Sequence, residues 1–270
     1  MYIHVSCDRN AASPLLARFP DGSFFFSNSE FIKSVELERK WVKETIQKRS
    51  RPIEGSKDLV YLHFSACESD GMMAKLTARM QALLLLFIDG SSIIDLLDSK
   101  WQVTWLFSSK SFHIMGFCSA YGFFKFPLGI RLRISQFFIM PYCQRTGYGS
   151  ILYQQVMRLA STDARIHEVT VEDPNDEFSL LRLKNDRNLL DCKLNSMQRT
   201  EAELLNQYDQ KFKDKDQDSK EFVEFKRAVK RFICKKFPDC IPLDRKDKIR
   251  VLNELFEQEL ARFNSLINCI

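Results

Sequence analysis

Glycine and proline are scarce in this sequence, 9 and 8 among 270 residues, which excludes collagen-like and low-complexity classes. Long apolar runs are missing as well. The longest extends only from Ala82 to Ile88, far short of the roughly 20 residues that cross a bilayer. Histidine is rare, and His4, His63, His113 and His167 stand alone without metal-ligand spacing, so no metal is expected. No C-x-x-C pair occurs among Cys7, Cys67, Cys118, Cys143, Cys192, Cys234, Cys240 and Cys269. The start, Met1-Tyr2-Ile3-His4-Val5, has neither the basic region nor the apolar core of a signal peptide. The cysteines are therefore expected to be reduced thiols of an intracellular protein. The excess of one charge sign is small, 40 Lys+Arg against 35 Asp+Glu, which gives little support to nucleic-acid binding. What is abundant is phenylalanine. With 23 Phe and 45% apolar residues the chain can bury a sizeable core, and dominant disorder is excluded.

The first stretch mixes apolar and basic clusters. Ser23-Phe24-Phe25-Phe26-Ser27 reads as a short strand or turn and Glu36–Lys48 as a helix stopped before Pro52. From Val60, Leu62 and Phe64 alternate with polar positions as in a strand. Met73, Leu76, Met80, Leu83, Leu84 and Phe87 recur at helical spacing up to Ile88, and Gly90 stops them. Residues 102–107, 112–126 and 130–140 read as three successive antiparallel strands. A helix over 148–160, a short strand over 168–171 and a helix over 178–184 follow. Beyond 195 the composition turns charged. Phe222, Phe225, Val229, Phe232 and Ile233, then Ile249, Leu252, Phe256, Leu260, Phe263 and Ile267, mark two amphipathic helices. The expected division is an accessory segment over 1–59, a core over 60–194 and a helical module over 195–270.

The sharpest local signal is Gln144-Arg145-Thr146-Gly147-Tyr148-Gly149-Ser150, between a strand and a helix. Two glycines at i and i+2 permit a sharp turn that brings backbone amides close to a ligand. The following helix adds unpaired amides and its positive dipole end, a cradle suited to a pyrophosphate. Arg145 could add a charge-assisted bond. The Walker ending is absent, and so is the third glycine of the dinucleotide fingerprint. A tight strand-to-helix turn without a ligand is the competing explanation. The surrounding order favours the ligand-holding reading, because strands, Q-x-x-G-x-G, helix and short strand resemble the GCN5-related N-acetyltransferase superfamily. That resemblance implies an α+β fold, a mixed, mostly antiparallel sheet flanked by helices, here with a C-terminal helical extension. It also implies acetyl-CoA as cosubstrate, held by the loop and by the backbone of Phe137, Phe138, Ile139 and Met140.

A second signal is Val171-Glu172-Asp173-Pro174. Asp173 before Pro174 is well placed to cap the next helix, with Asp176 and Glu177 in its first turn. Glu172 has no such explanation. At the end of a strand and partly desolvated, it could take the proton an amine must lose before attacking a thioester. A backbone amide near Ile139 or Met140 could stabilise the oxyanion. Cys143 has no histidine near it in sequence, which favours this direct route over an acyl-cysteine.

Together, Leu83–Trp101, Gly116–Phe126, Arg133–Gly149 and Val171–Pro174 resemble one family, the catalytic subunits of type B histone acetyltransferases. The likeness runs from about Val60 to Asp191. It implies transfer of acetyl to a lysine in the tail of free histone H4, in nucleus and cytoplasm, with a WD40-propeller chaperone as a possible partner. Glu172 matches the family's general base and Asp89 a second acid near the lysine, while Asp95 matches an acid with a structural role. Gln144–Ser150 matches the coenzyme loop. Tyr121, Gly122 and Phe123 match an aromatic segment lining the histone groove, with Asp173 also on the substrate side. Arg145 and Thr146 depart from the usual loop residues, and little likeness precedes Val60. Two alternatives stay open: an acetyltransferase for another protein or a small amine, and an acetyl-CoA-binding module without turnover.

Overall fold

The computed structural model describes residues 27–68, 71–127, 129–213, 219–242 and 244–268. The cluster Ser23–Phe26 lies outside them, as do Cys7 and Cys269. Ser27 opens helix α1 (Asn28–Arg49), its hydroxyl accepting the Glu30 amide at 3.2 Å, so the helix starts earlier than the apolar spacing indicates. Strands β1 (Arg51–Pro52) and β2 (Leu59–Ser65) follow. Helix α2 (Gly71–Leu84) buries Met73, Leu76, Met80 and Leu84 along one stripe. The expected continuation to Ile88 is not helical. Past Leu84 the chain tightens, with the Leu86 amide on the Leu83 carbonyl and the Phe87 amide on that of Leu84. Leu85, Leu86 and Phe87 are exposed there.

Strands β3 (Trp101–Ser108), β4 (Ile114–Lys125) and β5 (Gly129–Ile139) come next. β2 pairs with β3, and β3 with β4, both antiparallel; Leu62 faces Trp105 and Trp105 faces Phe117. The connection from Lys125 to Gly129 is too short for anything but an antiparallel hairpin between β4 and β5. Helix α3 (Tyr148–Thr162) then crosses over to β6 (Ile166–Val171), which pairs with β5 in parallel from Ile130/Ile166 to Ile134/Val171. The sheet order is β1-β2-β3-β4-β5-β6. This is the mixed, mostly antiparallel α+β arrangement the sequence implies. Helices α4 (Asp176–Asp186), α5 (Ser196–Lys211), α6 (Lys220–Lys236) and α7 (Arg245–Asn268) complete the chain.

By contact the chain divides into two units, one of residues up to Tyr121 with Ser135–Gln144, the other of Gly122–Ile134 with Arg145 onward. The first is built on Trp105, Phe107, Phe117 and Phe138 with the buried stripe of α2. Trp105 meets Phe117 edge-on at 4.9 Å. In the second, α4 to α7 share a core of Tyr208, Phe225, Phe256 and Phe263. All five apolar positions marked on α6 are buried. On α7 the stripe is buried from Phe256 onward, whereas Ile249 is exposed. Helix α5 was not anticipated. It is opened by a capping box in which Asn195 Oδ1 accepts the Gln198 amide at 2.9 Å and Gln198 Oε1 accepts the Asn195 amide at 3.0 Å.

A buried ion cluster runs through these helices. Glu201 of α5 meets Lys236 of α6 at 2.7 Å, Arg262 of α7 at 2.7 Å and Arg182 of α4 at 3.2 Å, and Glu259 of α7 shares Lys236 and Arg262. A carboxylate left 3% exposed requires such partners. No helix among the described residues is long and apolar enough to cross a membrane. The six described cysteines are free thiols.

Candidate active site

Gly147 sets the geometry of the loop. It stands at the N-cap of α3 with φ 89° and ψ −8°, a left-handed conformation that glycine adopts without strain. No side chain caps this helix end. The amides of its first turn, at Tyr148, Gly149 and Ser150, have no intrahelical acceptor. A Cβ built on Gly147 would meet nothing within 4 Å, so the glycine is needed for its backbone conformation and not for space. Ser150 turns its hydroxyl toward α4, where Asn185 Nδ2 donates to it at 3.1 Å. The arrangement fits an anion of a pyrophosphate's size and charge. Arg145 also has a positive φ, 61°, and its guanidinium pairs with Glu177 at 2.7 Å, both side chains largely exposed. Thr146 is exposed beside it.

In the other unit, Gln144 Nε2 donates to the Ile139 carbonyl at 3.0 Å. Phe138 is buried with its ring 5.2 Å from Phe87, while Phe137 and Ile139, half-buried, alternate with it along β5. The Met140 amide donates to the Met115 carbonyl at 3.0 Å. It is therefore taken, which corrects its expected role as an oxyanion donor. Cys143 is buried, with Sγ 3.7 Å from Met115 Sδ, and burial pushes its thiol above the ordinary range. A thiol so held is a poor nucleophile.

Tyr121 lies in the same unit. Its phenol donates to Asp98 Oδ2 at 3.0 Å, and its ring meets Trp101 edge-on at 4.9 Å. Asp98 also accepts the Lys100 amide at 2.9 Å; that bond first, and the Tyr121 bond with it, holds its carboxyl below the ordinary value. Asp89 is exposed in the turn after α2, five positions past the helix end, so it is not a helix-terminal acid. Asp95 accepts the Leu97 amide at 2.9 Å, a structural role. Gln136, buried in β5, donates to Ser91 Oγ at 3.0 Å and to the Ser92 carbonyl at 2.6 Å, and accepts from Ser119 at 3.0 Å. That anchor was legible as a lone amide in an apolar strand.

Glu172 follows β6 directly, its amide donating to the Ile134 carbonyl at 2.9 Å. Its side chain is 46% exposed and lies 3.6 Å from Arg133, so the expected desolvation is not observed. Asp173 is exposed with φ 34° and does not cap α4. Asn175 does, accepting the Phe178 amide at 2.8 Å, because its extended backbone (φ −69°, ψ 170°) aims the side chain back at the first turn. Phe123 lies under the Arg133 guanidinium at 4.4 Å, next to Gly122. The structure thus gathers Tyr121 with Asp98 and Trp101 in one unit, and Glu172 with Arg133 and Phe123 in the other. The sequence reading missed Asp98, Trp101 and Arg133 as neighbours of these residues.

Curated relatives match about half of the chain. The histone acetyltransferase type B catalytic subunit of Cryptococcus neoformans is 34% identical over 149 residues, covering 52% of this chain and 36% of its own length. The type B catalytic subunit of Dictyostelium discoideum is 33% identical over 152 residues, covering 52% and 31%. Half of the chain is similar in sequence to catalytic subunits of type B histone acetyltransferases. The matched stretch spans about a third of those type B subunits' own length. No family model matches the chain. Among solved structures, an aminoglycoside acetyltransferase from an uncultured soil metagenomic sample overlaps at a TM-score of 0.36 and 16% identity, covering 47% of this chain and 86% of that one.

Proposed function

We propose that this chain is a lysine acetyltransferase that uses acetyl-CoA to acetylate the tail of free histone H4. The observation that carries this reading is the uncapped N-terminus of α3 behind a left-handed Gly147, in a chain half of which is similar in sequence to type B catalytic subunits. The amides of Gly149 and Ser150 take the coenzyme's pyrophosphate, and the backbone of Phe137–Ile139 pairs with its pantetheine arm. With the Met140 amide engaged, the Ile139 amide is the donor to the tetrahedral oxyanion. Glu172 accepts the proton of the lysine ammonium, the freed amine attacks the thioester carbon, and the coenzyme thiolate leaves. Tyr121, Gly122, Phe123, Asp89 and Asp173 lie on the substrate side. Activity in nucleus and cytoplasm, with a WD40-propeller chaperone, belongs to the same proposal.

Calorimetric titration with acetyl-CoA, then initial rates on an H4-tail peptide, other histone-tail peptides and small amines, tests it. Binding with fastest turnover on the H4 peptide is expected. Turnover confined to small amines would replace the substrate assignment, and binding without turnover would leave only a coenzyme-binding module. Glu172→Gln should keep coenzyme affinity and lower kcat by about 100-fold or more. Unchanged turnover would remove Glu172 from the chemistry.

A further inference from the structure

One side of the second unit carries a row of charges set by strand register. Arg131 of β5 stands beside Glu168 of β6, and Arg133 beside Thr170, so Arg133 is diagonal to Glu172 two positions on. Glu168 already has two cations, Lys125 at 2.8 Å and Arg131 at 3.8 Å. Arg133 reaches the other way, its Nη1 3.6 Å from Glu172 Oε1. Its guanidinium carbon stands 4.4 Å from the centre of the Phe123 ring on β4. A guanidinium held on an aromatic face keeps its N–H edge directed sideways. The Glu172 amide is fixed to the Ile134 carbonyl, one residue from Arg133. Both ends of the pair are therefore anchored in the same two strands.

We infer that Arg133 is a positioning residue for Glu172, stacked on Phe123 so that it orients the carboxylate; this rests on the reading of Glu172 as the base. Arg133 lies within 4 Å of Glu172, where the register directs it, while Arg131 and Lys125 pair with Glu168.

The test is kcat and KM with acetyl-CoA and the H4-tail peptide for Arg133→Gln, Arg133→Lys and Phe123→Leu. Arg133→Gln should keep coenzyme affinity and the peptide KM within about twofold while kcat falls about tenfold, because the aim of the base is lost and binding is not. Arg133→Lys should recover the rate in part, because an ammonium keeps the charge but not the flat stack. Phe123→Leu keeps the charge and loosens the aim, so kcat falls with coenzyme affinity kept. An Arg133→Gln kcat equal to the parent's, with coenzyme binding intact, overturns the inference. Should Arg133→Gln fail to fold, Arg133→Lys and Phe123→Leu decide: parental rates in both overturn it. Failure of the underlying reading looks different, since Glu172→Gln would then turn over normally whatever Arg133 variants do.

Discussion

At the residue scale the loop stands or falls with Gly147. A left-handed backbone costs an L-residue roughly 1–2 kcal/mol, and a Cβ there would meet open space, so the penalty is conformational rather than steric. Gly147→Ala should lower stability by about 1 kcal/mol in urea unfolding and weaken acetyl-CoA binding at least tenfold, on the order of the same energy. Gly147→Asn separates the two explanations, because asparagine tolerates the left-handed region far better. It should recover most of the stability. Equal losses in both variants would mean that the side chain obstructs something and that the turn geometry is not what matters.

At the element scale, α5 shows how a polar helix can be decided by its first turn. Its apolar positions are few, with Ala202, Leu204, Leu205 and Tyr208 buried, and its stability leans on the Asn195–Gln198 box and on Glu201. Asn195→Ala should cost about 1 kcal/mol, read as a lower urea midpoint with an unchanged slope. A variant as stable as the parent would show that the ion cluster alone holds the helix. The box was legible as N-x-x-Q, yet the charged composition around it hid it. Strands β3 to β5 and helix α3 were legible because branched and aromatic residues, or a clean stripe, write one period. The end of α2 was not, since Leu85, Leu86 and Phe87 continue an apolar run that periodicity cannot distinguish from helix. Asp173 reads as the cap of α4, and only backbone geometry shows that Asn175 takes that place. The loop glycines could be read locally. The Arg133 partner of Glu172 could not, because strand register brings it there and sets it over Phe123.

At the scale of the whole molecule, stability should follow pH through two buried carboxyls that pull in opposite directions. Tyr153 of α3 donates to Asp186 of α4 at 2.6 Å, and Arg182 stands 3.8 Å away. Burial pushes Asp186 up to about 6, against the Tyr153 bond and the Arg182 charge. Burial would raise Glu201 too, but Lys236 and Arg262 outweigh it and hold its carboxyl below the ordinary value. Glu201 therefore contributes stability at neutral pH that is lost as the solution is acidified below the ordinary carboxylate range. Asp186 has the other sign. Its folded value lies above the unfolded one, so its contribution is complete below about pH 4 and is lost as pH rises through about 6. Comparing the parent with Asp186→Asn at each pH removes Glu201 and the general charging of a chain with 40 basic and 35 acidic side chains. Between pH 7 and pH 4 the parent should gain about 2 kcal/mol on that variant, most of the linkage between a folded value of about 6 and the ordinary one. Urea unfolding at four or five pH values measures it. A difference independent of pH would mean that Asp186 titrates alike in folded and unfolded chains, and that the Tyr153 bond, not burial, sets its charge.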